Sequence, residues 1–244
     1  MTLAVLAKAV VSTAKISVPT LVEAARGKLD PKTCDERLDQ WSRSLLEDAK
    51  IQLTVRGLEH AVSDENFVVM SNHQSLYDIP VLFQALRRRI RMVAKRELFR
   101  VPVWGRAMRA AGFIEVDRDD HERAVESLRR AADAIEHGND VWIAPEGTRS
   151  RDGSLQPFRK GGFHLALAAG ARILPVSIDG TRRVLEARGF RVHPGASVRV
   201  SVHLPLDPRA HSANEIEELM TRVRESILEG LPAEAEKESA ARLS

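Results

Sequence analysis

The chain has a single cysteine among its 244 residues, so it can form no internal disulfide and no metal site built from several cysteines. This composition is typical of a protein from a reducing compartment. The cysteine, Cys34, is expected on the polar side of a helix and far from the motifs described below. That position argues against a nucleophilic role for its thiol.

Aromatic residues and long apolar runs are also scarce. Phe, Trp and Tyr make up 5% of the chain, so nucleic acid recognised by stacking on its bases is not an expected partner. No uninterrupted run of about 18 apolar residues is present, which predicts that no helix spans a membrane.

The most apolar long segment covers residues 3–22, where Lys8 and Lys15 interrupt it. The two lysines would share one face of a helix. Another face would be lined by apolar side chains, namely Leu3, Leu6, Val10 and Ala14. The pattern suits a helix lying in the membrane interface, and it suits equally a helix packed on a protein core. A signal peptide is not expected, because no basic segment precedes the apolar residues.

Positive charge is concentrated in one stretch in which Glu97 is the only acid. Its cations are Arg87, Arg88, Arg89, Arg91, Lys95, Arg96 and Arg100. One interpretation is a solvated helix end and loop. The position of the stretch between two motifs favours the other interpretation, a platform for an anionic membrane surface, a phosphorylated substrate or an acidic acyl carrier.

Apolar periodicity predicts strands that alternate with helices along most of the chain. Strands are expected at 51–55, 67–70, 90–94, 113–116, 141–144, 173–178 and 198–202. Helices are expected at 78–86, 102–111, 121–137, 160–169 and 213–228, after two N-terminal helices that could pair as a hairpin. The alternation predicts an α/β fold with a mixed, largely parallel central sheet flanked by helices on both faces.

Two polar segments directly follow predicted strands. Residues 72–78 follow the apolar run at 67–70 and supply a histidine and a carboxylate. Residues 145–149 follow the run at 141–144 and supply a glutamate, a glycine turn and an arginine. Open α/β sheets build their sites at the carboxyl ends of strands, so we expect both segments to line one site.

His73 and Asp78 are five positions apart, so in one continuous helix their side chains would point about 140° away from each other. Ser75 is a good N-cap. A helix beginning there would leave His73 on the preceding turn and place Asp78 in its first turn, where the two side chains can meet. The segment from Ser75 to Asp78 is also close to a capping box, so Asp78 could instead serve only as a helix cap.

Four segments, in the same order, resemble the motifs of the glycerolipid acyltransferase family, whose founding activity is 1-acylglycerol-3-phosphate acyltransferase. They are Asn-His-(four residues)-Asp at 72–78, a Gly-Phe-Ile segment closing on Arg at 112–118, Pro-Glu-Gly-Thr-Arg at 145–149 and an apolar strand centred on Pro175. The third has Ala144 where the family usually has Phe, which leaves its charged residues intact. The resemblance covers residues 67–180.

The resemblance implies that a substrate hydroxyl attacks an acyl thioester, with His73 as the general base and Asp78 orienting it. It implies no acyl-enzyme, no metal and no cofactor, with acyl-CoA or acyl-carrier protein as the co-substrate. The residues expected to bind substrate, mainly through its phosphate, are Lys95, Arg118, Glu146, Gly147, Thr148 and Arg149.

Several individual roles stay open at this point. Glu146 could bond a substrate hydroxyl or brace its loop, and the Gly147 N–H could face a phosphate or an oxyanion. For each cation, a surface salt bridge is the alternative. His164 is an alternative base, although it is expected within an ordinary helix. Asn72 is expected to hold its turn through bonds from its side chain to the backbone.

The expected acceptor is 1-acyl-glycerol 3-phosphate (lysophosphatidate), and the expected product is phosphatidate. Glycerol 3-phosphate, another lysophospholipid and a non-phosphate lipid are alternative acceptors. Outside this class, the chain could be a lipid hydrolase or a membrane-binding protein without activity. A hydrolase should carry a Gly-x-Ser-x-Gly elbow, and the sequence has none.

Three segments are expected along the chain. Residues 1–50 would form an N-terminal helical segment that could lie in the membrane interface, 51–230 the acyltransferase domain, and 231–244 a polar tail. The expected location is the cytoplasmic face of the cell membrane, as a peripheral or monotopic protein.

Overall fold

Seven strands form one sheet within residues 2–117, 121–210 and 216–233, the part of the chain that the computed structural model describes. In chain order they are β1 (Gln52–Arg56), β2 (Phe67–Ser71), β3 (Ile90–Lys95), β4 (Ile114–Val116), β5 (Asp140–Ile143), β6 (Arg172–Asp179) and β7 (Ser197–Val202). The spatial order is β1-β7-β6-β2-β5-β3-β4, and every neighbouring pair is parallel except β6 and β7. The predicted mixed, largely parallel sheet is confirmed.

Helices cover both faces of this sheet. They are α1 (Thr2–Ala25), α2 (Pro31–Asp48), α3 (Asp78–Leu86), α4 (Arg96–Phe99), α5 (Trp104–Ala110), α6 (His121–Glu136), α7 (Gly161–Ala169), α8 (Thr181–Val184) and α9 (Ile216–Glu229). One apolar core holds side chains from α2, α3 and α5, and a second core, on the other face, holds side chains from α6, α7 and α9. The four-residue helices α4 and α8 were not predicted, because one turn is too short to show a helical period.

The central strand β2 explains why the sheet forms where it does. All five of its residues are buried, since helices cover it on both sides, and its sequence is correspondingly an apolar run without alternation. The strand β7, by contrast, alternates exposed and buried residues over most of its length. The buried centre carries the two polar segments that follow β2 and β5.

The N-terminal helices α1 and α2 form the predicted hairpin. Arg37 of α2 donates to both carboxylate oxygens of Glu23 in α1, at 2.9 and 2.6 Å. The Trp41 indole N–H donates to the Thr13 hydroxyl at 3.1 Å. Helix α1 also packs against α5, so this hairpin is joined to the sheet domain on one side.

The other side of α1 leaves apolar side chains exposed, including Val10, Val11, Val18 and Val22. By length and composition alone, Ala4–Ala25 is apolar enough to cross a membrane, although Lys8 and Lys15 lie within it. Only 17% of that apolar window is buried. One face of α1 therefore packs against α2 and α5, and the other face is exposed.

The position predicted for Cys34 is wrong. The residue is 4% exposed and belongs to the core between α2 and the sheet, so it does not lie on a polar helix face. Burial raises the pKa of its thiol, which disfavours the reactive thiolate. Two other predictions, Arg118 and most of the polar tail at 231–244, fall outside the described residues.

Candidate active site

The two polar segments meet at one edge of the sheet. The strands β2 and β5 are parallel neighbours, with Val68 paired to Val141 and Met70 paired to Ile143. The segments that leave these strands therefore emerge side by side at the carboxyl edge. This is the arrangement expected from the sequence.

His73 and Asp78 are joined by a hydrogen bond between His73 Nδ1 and Asp78 Oδ2, 2.7 Å long. The Asp78 side chain is fully buried, and the His73 side chain is 17% exposed. Because a buried carboxylate accepts at Nδ1, we assign the proton to that nitrogen, which leaves the lone pair of Nε2 free. The imidazole can therefore take a proton from a substrate at Nε2.

Asp78 is held by more than the histidine. Its Oδ2 also accepts the backbone N–H groups of Gln74 and Ser75, at 2.7 and 2.9 Å, and its Oδ1 accepts the Thr181 hydroxyl. The helix α3 begins at Asp78, which agrees with the helix predicted at 78–86 and not with a start at Ser75. Asp78 thus caps the turn before the helix and orients the histidine at the same time, and the two interpretations are compatible.

Asn72 fixes the end of β2 to the neighbouring strand. Its side chain donates to the Ile178 carbonyl at 2.8 Å and accepts the Ile178 N–H at 2.7 Å. The bonds are from side chain to backbone as expected, but they reach β6 and not the turn around Asn72. They set the starting point of the segment that carries His73.

Glu146 contacts the backbone of His73 and is 3% exposed. One oxygen accepts the His73 N–H at 2.6 Å, and the other accepts the Gln156 N–H at 2.8 Å. Burial raises the pKa of this carboxyl to about 8, although both N–H groups oppose the shift. Of the two roles left open by the sequence, these contacts correspond to bracing the loop.

Gly147 makes the turn that follows Glu146. Its φ of 75° lies in the left-handed region that glycine adopts at low cost, and its N–H donates to the Ala144 carbonyl at 3.0 Å. That N–H is therefore directed into the turn and not at a phosphate or an oxyanion. The Ser150 N–H, three residues on, donates to the His73 carbonyl at 2.7 Å.

A cavity of about 350 Å³ opens beside the His73 ring. Lys95, Thr148 and Arg149 line it together with apolar side chains such as Leu98. Within the described residues, Lys95 and Arg149 form no ion pair. Arg149 is half-buried, and burial lowers the pKa of its guanidinium while Asp78 opposes that shift. The cavity thus combines a free imidazole nitrogen with two cations, and the exposed Glu97 also lines it.

The chain matches the family model described as Acyltransferase over residues 52–179, which is more than half of its length. The chain belongs to the acyltransferase family. It is 35% identical over 153 residues to the chloroplastic 1-acyl-sn-glycerol-3-phosphate acyltransferase of Brassica napus, covering 62% of this chain. It is 32% identical over 186 residues to the 1-acyl-sn-glycerol-3-phosphate acyltransferase of Escherichia coli, covering 75% of this chain and 73% of that one.

A solved structure is similar along nearly the whole chain. It is the 1-acyl-sn-glycerophosphate acyltransferase of Thermotoga maritima, with a TM-score of 0.72 and 27% sequence identity. The likeness covers 95% of this chain and 98% of that one. The chain spans only 44% of the length of the Brassica relative, so the shared region there is one part of a longer protein.

The cationic platform predicted on this acyltransferase is wrong for most of its members. Arg88 pairs with the buried Asp140, and Arg96 pairs with Asp117. Arg89 and Arg91 both contact Asp35, at 2.8 and 2.7 Å. The acids lie far away in sequence, so inspection of the stretch itself could not reveal them. Lys95 differs from these arginines in lining the cavity.

A second cavity was not predicted at all. It is narrow and apolar, it lies between α1, α2 and α5, and it shares the side chains of Ile79 and Met92 with the cavity beside His73. Trp41 and Met108 also line it. Its walls come from elements that are distant in sequence, which is why no local pattern indicated it.

Proposed function

We propose that this protein transfers a fatty acyl group from an acyl thioester to the free hydroxyl of 1-acyl-glycerol 3-phosphate, giving phosphatidate. The observation that carries the proposal is the hydrogen bond from His73 to Asp78, beside a cavity that also holds Lys95 and Arg149. The similar proteins of Brassica, Escherichia and Thermotoga are named as acyltransferases of this acceptor, which supports the same acceptor here.

The chemistry uses the free nitrogen of His73. Nε2 takes the proton of the acceptor hydroxyl while its oxygen attacks the thioester carbonyl carbon and forms the new C–O bond. Collapse of the tetrahedral intermediate breaks the C–S bond. The departing thiolate takes the proton from the imidazolium, which returns His73 to its neutral state. Asp78 keeps the ring oriented and stabilises the imidazolium, and the substrate alcohol stands where a hydrolase has its serine.

The two cations of the cavity would bind the acceptor phosphate. Arg149 offers a planar fork of donors that matches phosphate oxygens, and Lys95 offers a point charge at the end of β3. Partial burial of Arg149 removes part of its hydration, which strengthens a charge-assisted bond to the ligand. Thr148 adds an exposed hydroxyl at the same wall.

The acyl chain needs an apolar environment close to His73. The nearest apolar space is the narrow cavity between α1, α2 and α5, since Ile79 and Met92 line both cavities. Its volume is about 50 Å³, so it would have to widen as a long chain enters. A chain bound there would place its carbonyl near the imidazole and its tail towards the N-terminal hairpin. Either acyl-CoA or acyl-carrier protein could deliver such a chain.

We place the protein at the cytoplasmic face of the membrane, as a peripheral or monotopic protein, where a lysolipid acceptor would be found. The exposed valines of α1 support this location, because an interfacial helix binds through its buried apolar area. Replacing Val11, Val18 and Val22 together by Ser should reduce co-sedimentation with lipid vesicles and should not change activity on a short-chain, water-soluble acceptor.

The matched control for this membrane prediction is a pair of exposed valines outside α1, Val62 and Val125, also replaced by Ser. Vesicle binding of this control should equal that of the wild type. Equal binding by the α1 variant and the wild type would contradict an interfacial role for the helix.

The assay that tests the proposed reaction measures thiol release from acyl-CoA and from acyl-carrier protein across a panel of acceptors, with products identified by mass. Phosphatidate formed from lysophosphatidate is the expected result. A preference for glycerol 3-phosphate, another lysophospholipid or a non-phosphate lipid would change the proposed acceptor and would leave the proposed acyl transfer in place. Release of free fatty acid alone would indicate a hydrolase. No thiol release with any acceptor would leave a membrane-binding protein without activity.

A further inference from the structure

The loop between β5 and α7 has no regular secondary structure, yet it bonds the backbone of His73, which lies in a different segment. Its Glu146 carboxylate accepts the His73 N–H at 2.6 Å, and its Ser150 N–H donates to the His73 carbonyl at 2.7 Å. One loop therefore bonds both the N–H and the carbonyl of His73, the proposed base. A loop of this length needs partners outside itself to keep one conformation.

One such partner is Arg224, on the C-terminal helix α9. Its Nη1 donates to the Gln156 carbonyl and its Nη2 to the Leu155 carbonyl, each at 3.0 Å. The guanidinium also lies over the Phe158 ring, 5.6 Å from its centroid. Arg224 is half-buried and lies far from His73 in sequence, outside the region matched by the family model.

The contacts of Arg224 continue to the reaction site through named bonds. The Gln156 N–H donates to Glu146 Oε2 at 2.8 Å, and Glu146 Oε1 accepts the His73 N–H. We propose that Arg224 is a positioning residue for acyl transfer: it fixes residues 155–156, these hold Glu146, and Glu146 holds the backbone of His73. The expected effect on kcat rests on the proposed function, whereas the expected effect on the position of His73 does not.

The guanidinium is suited to this role because its planar fork reaches two consecutive carbonyl groups at once. A lysine has three donors on a single nitrogen, but it lacks the rigid planar fork that fixes both carbonyls in one geometry. Without the fork, the two carbonyls would lose a charged donor, and the Gln156 N–H would no longer be held against Glu146. Displacement of a catalytic group by about 1 Å can lower a rate by about 100-fold, so a small shift of His73 would be measurable.

The kinetic test compares three variants of the full chain. Arg224→Leu should lower kcat by at least about tenfold while both KM values stay within about twofold, because neither substrate touches Arg224. Arg224→Lys should give an intermediate kcat. The control is Arg222→Leu, which removes the same charge from an exposed position about 200° around the same helix and should leave kcat unchanged.

Amide hydrogen exchange tests the chain of contacts without requiring activity. In Arg224→Leu and in Arg224→Lys, the amides of His73 and Gln156 should exchange faster than in the wild type, while the core amides of α9 keep their protection. Faster exchange throughout α9, with His73 unchanged, would show that Arg224 only docks the helix and would overturn the proposal.

A double-mutant cycle identifies the route. If Arg224 acts through Glu146, adding Arg224→Leu to Glu146→Gln should change kcat by less than about twofold. Multiplicative effects would place Arg224 on a separate route and would overturn the proposal. If the wild type transfers no acyl group, the proposed function fails, whereas the exchange experiment still decides whether Arg224 positions His73.

Discussion

The two ends of β3 carry cations with opposite surroundings. At the amino end, three arginines are paired with acids of α2 and β5. At the carboxyl end, Arg96 is paired with Asp117, whereas Lys95 has no ion-pair partner among the described residues and lines the cavity beside His73. The paired arginines therefore stabilise the fold, and the charge of Lys95 is available to a ligand. Substitutions at the two edges should accordingly have opposite effects on stability and on kinetics.

The largest effect is expected at the carboxyl edge, from His73→Ala. Loss of the proposed general base should reduce kcat by about 10² to 10⁴. The urea midpoint of unfolding should change little, because Asp78 keeps its bonds to two backbone N–H groups and to Thr181. Steady-state kinetics on the folded variant measures the first quantity, and a urea titration measures the second.

Asp78→Asn qualifies this result. It should be equally severe for kcat, but it should also lower stability. Both oxygens of Asp78 accept hydrogen bonds, and the Asn amide would replace one of these acceptors by an NH₂ donor. A His73→Ala variant that keeps more than a tenth of the wild-type kcat would exclude His73 as the base. The exposed His164 on α7 would then be the next residue to test.

The opposite effect is expected at the amino edge, from Arg88→Ala. Arg88 bonds the buried carboxylate of Asp140 and also donates to the carbonyls of Ala61, Ser63 and Glu65. Its loss should lower the free energy of unfolding by about 3 kcal/mol, because Asp140 would keep an uncompensated charge. The kcat at low temperature should stay within about twofold of the wild type. A large fall in kcat without loss of stability would contradict the separation of the two edges.

A smaller effect is expected from Arg149→Ala at the cavity. Loss of a charge-assisted contact to the acceptor phosphate should weaken transition-state binding by about 1.5 to 3 kcal/mol. The change should appear mainly in the KM of a phosphate-bearing acceptor and much less in that of the acyl donor. Lys95→Ala should change the same constant in the same direction by a smaller amount. An unchanged acceptor KM and kcat for Arg149→Ala would remove the phosphate role.

The sheet was accessible from the sequence because its strands are short apolar runs bounded by turns. The strand β2, with five buried residues, could be found from its composition alone. The apolar period predicted α3 at 78–86, where the structure has it, whereas the interpretation of Ser75 as an N-cap would begin the helix too early. In the structure the Ser75 hydroxyl accepts the Tyr77 N–H at 3.2 Å within the turn before α3, and it also donates to the Leu185 carbonyl at 2.7 Å. A competing long-range bond of this kind leaves no local pattern.

The site was accessible only in part, for the same reason. His73 and Asp78 lie close in sequence, so helix geometry sufficed to predict that they could meet. The Thr181 hydroxyl of α8 bonds Asp78, and the Arg224 guanidinium of α9 bonds the loop that carries Glu146. Nothing near either residue in the sequence indicates these contacts. The motifs indicate the residues proposed for the reaction, whereas the partners of these residues are brought close by the fold.

The smallest expected effect comes from Tyr77→Phe, which tests whether every polar group near the carboxyl edge serves the site. Tyr77 is 5% exposed, and its buried hydroxyl has no hydrogen-bond partner among the residues that the structure describes. Burial raises the pKa of this phenol to about 12, and the neighbouring charge of Asp48 adds to the shift. Removing an unsatisfied buried hydroxyl should raise the free energy of unfolding by about 1 kcal/mol and leave kcat unchanged. Urea unfolding and steady-state kinetics measure both, and a loss of stability would mean that the hydroxyl is satisfied by a group such as a bound water.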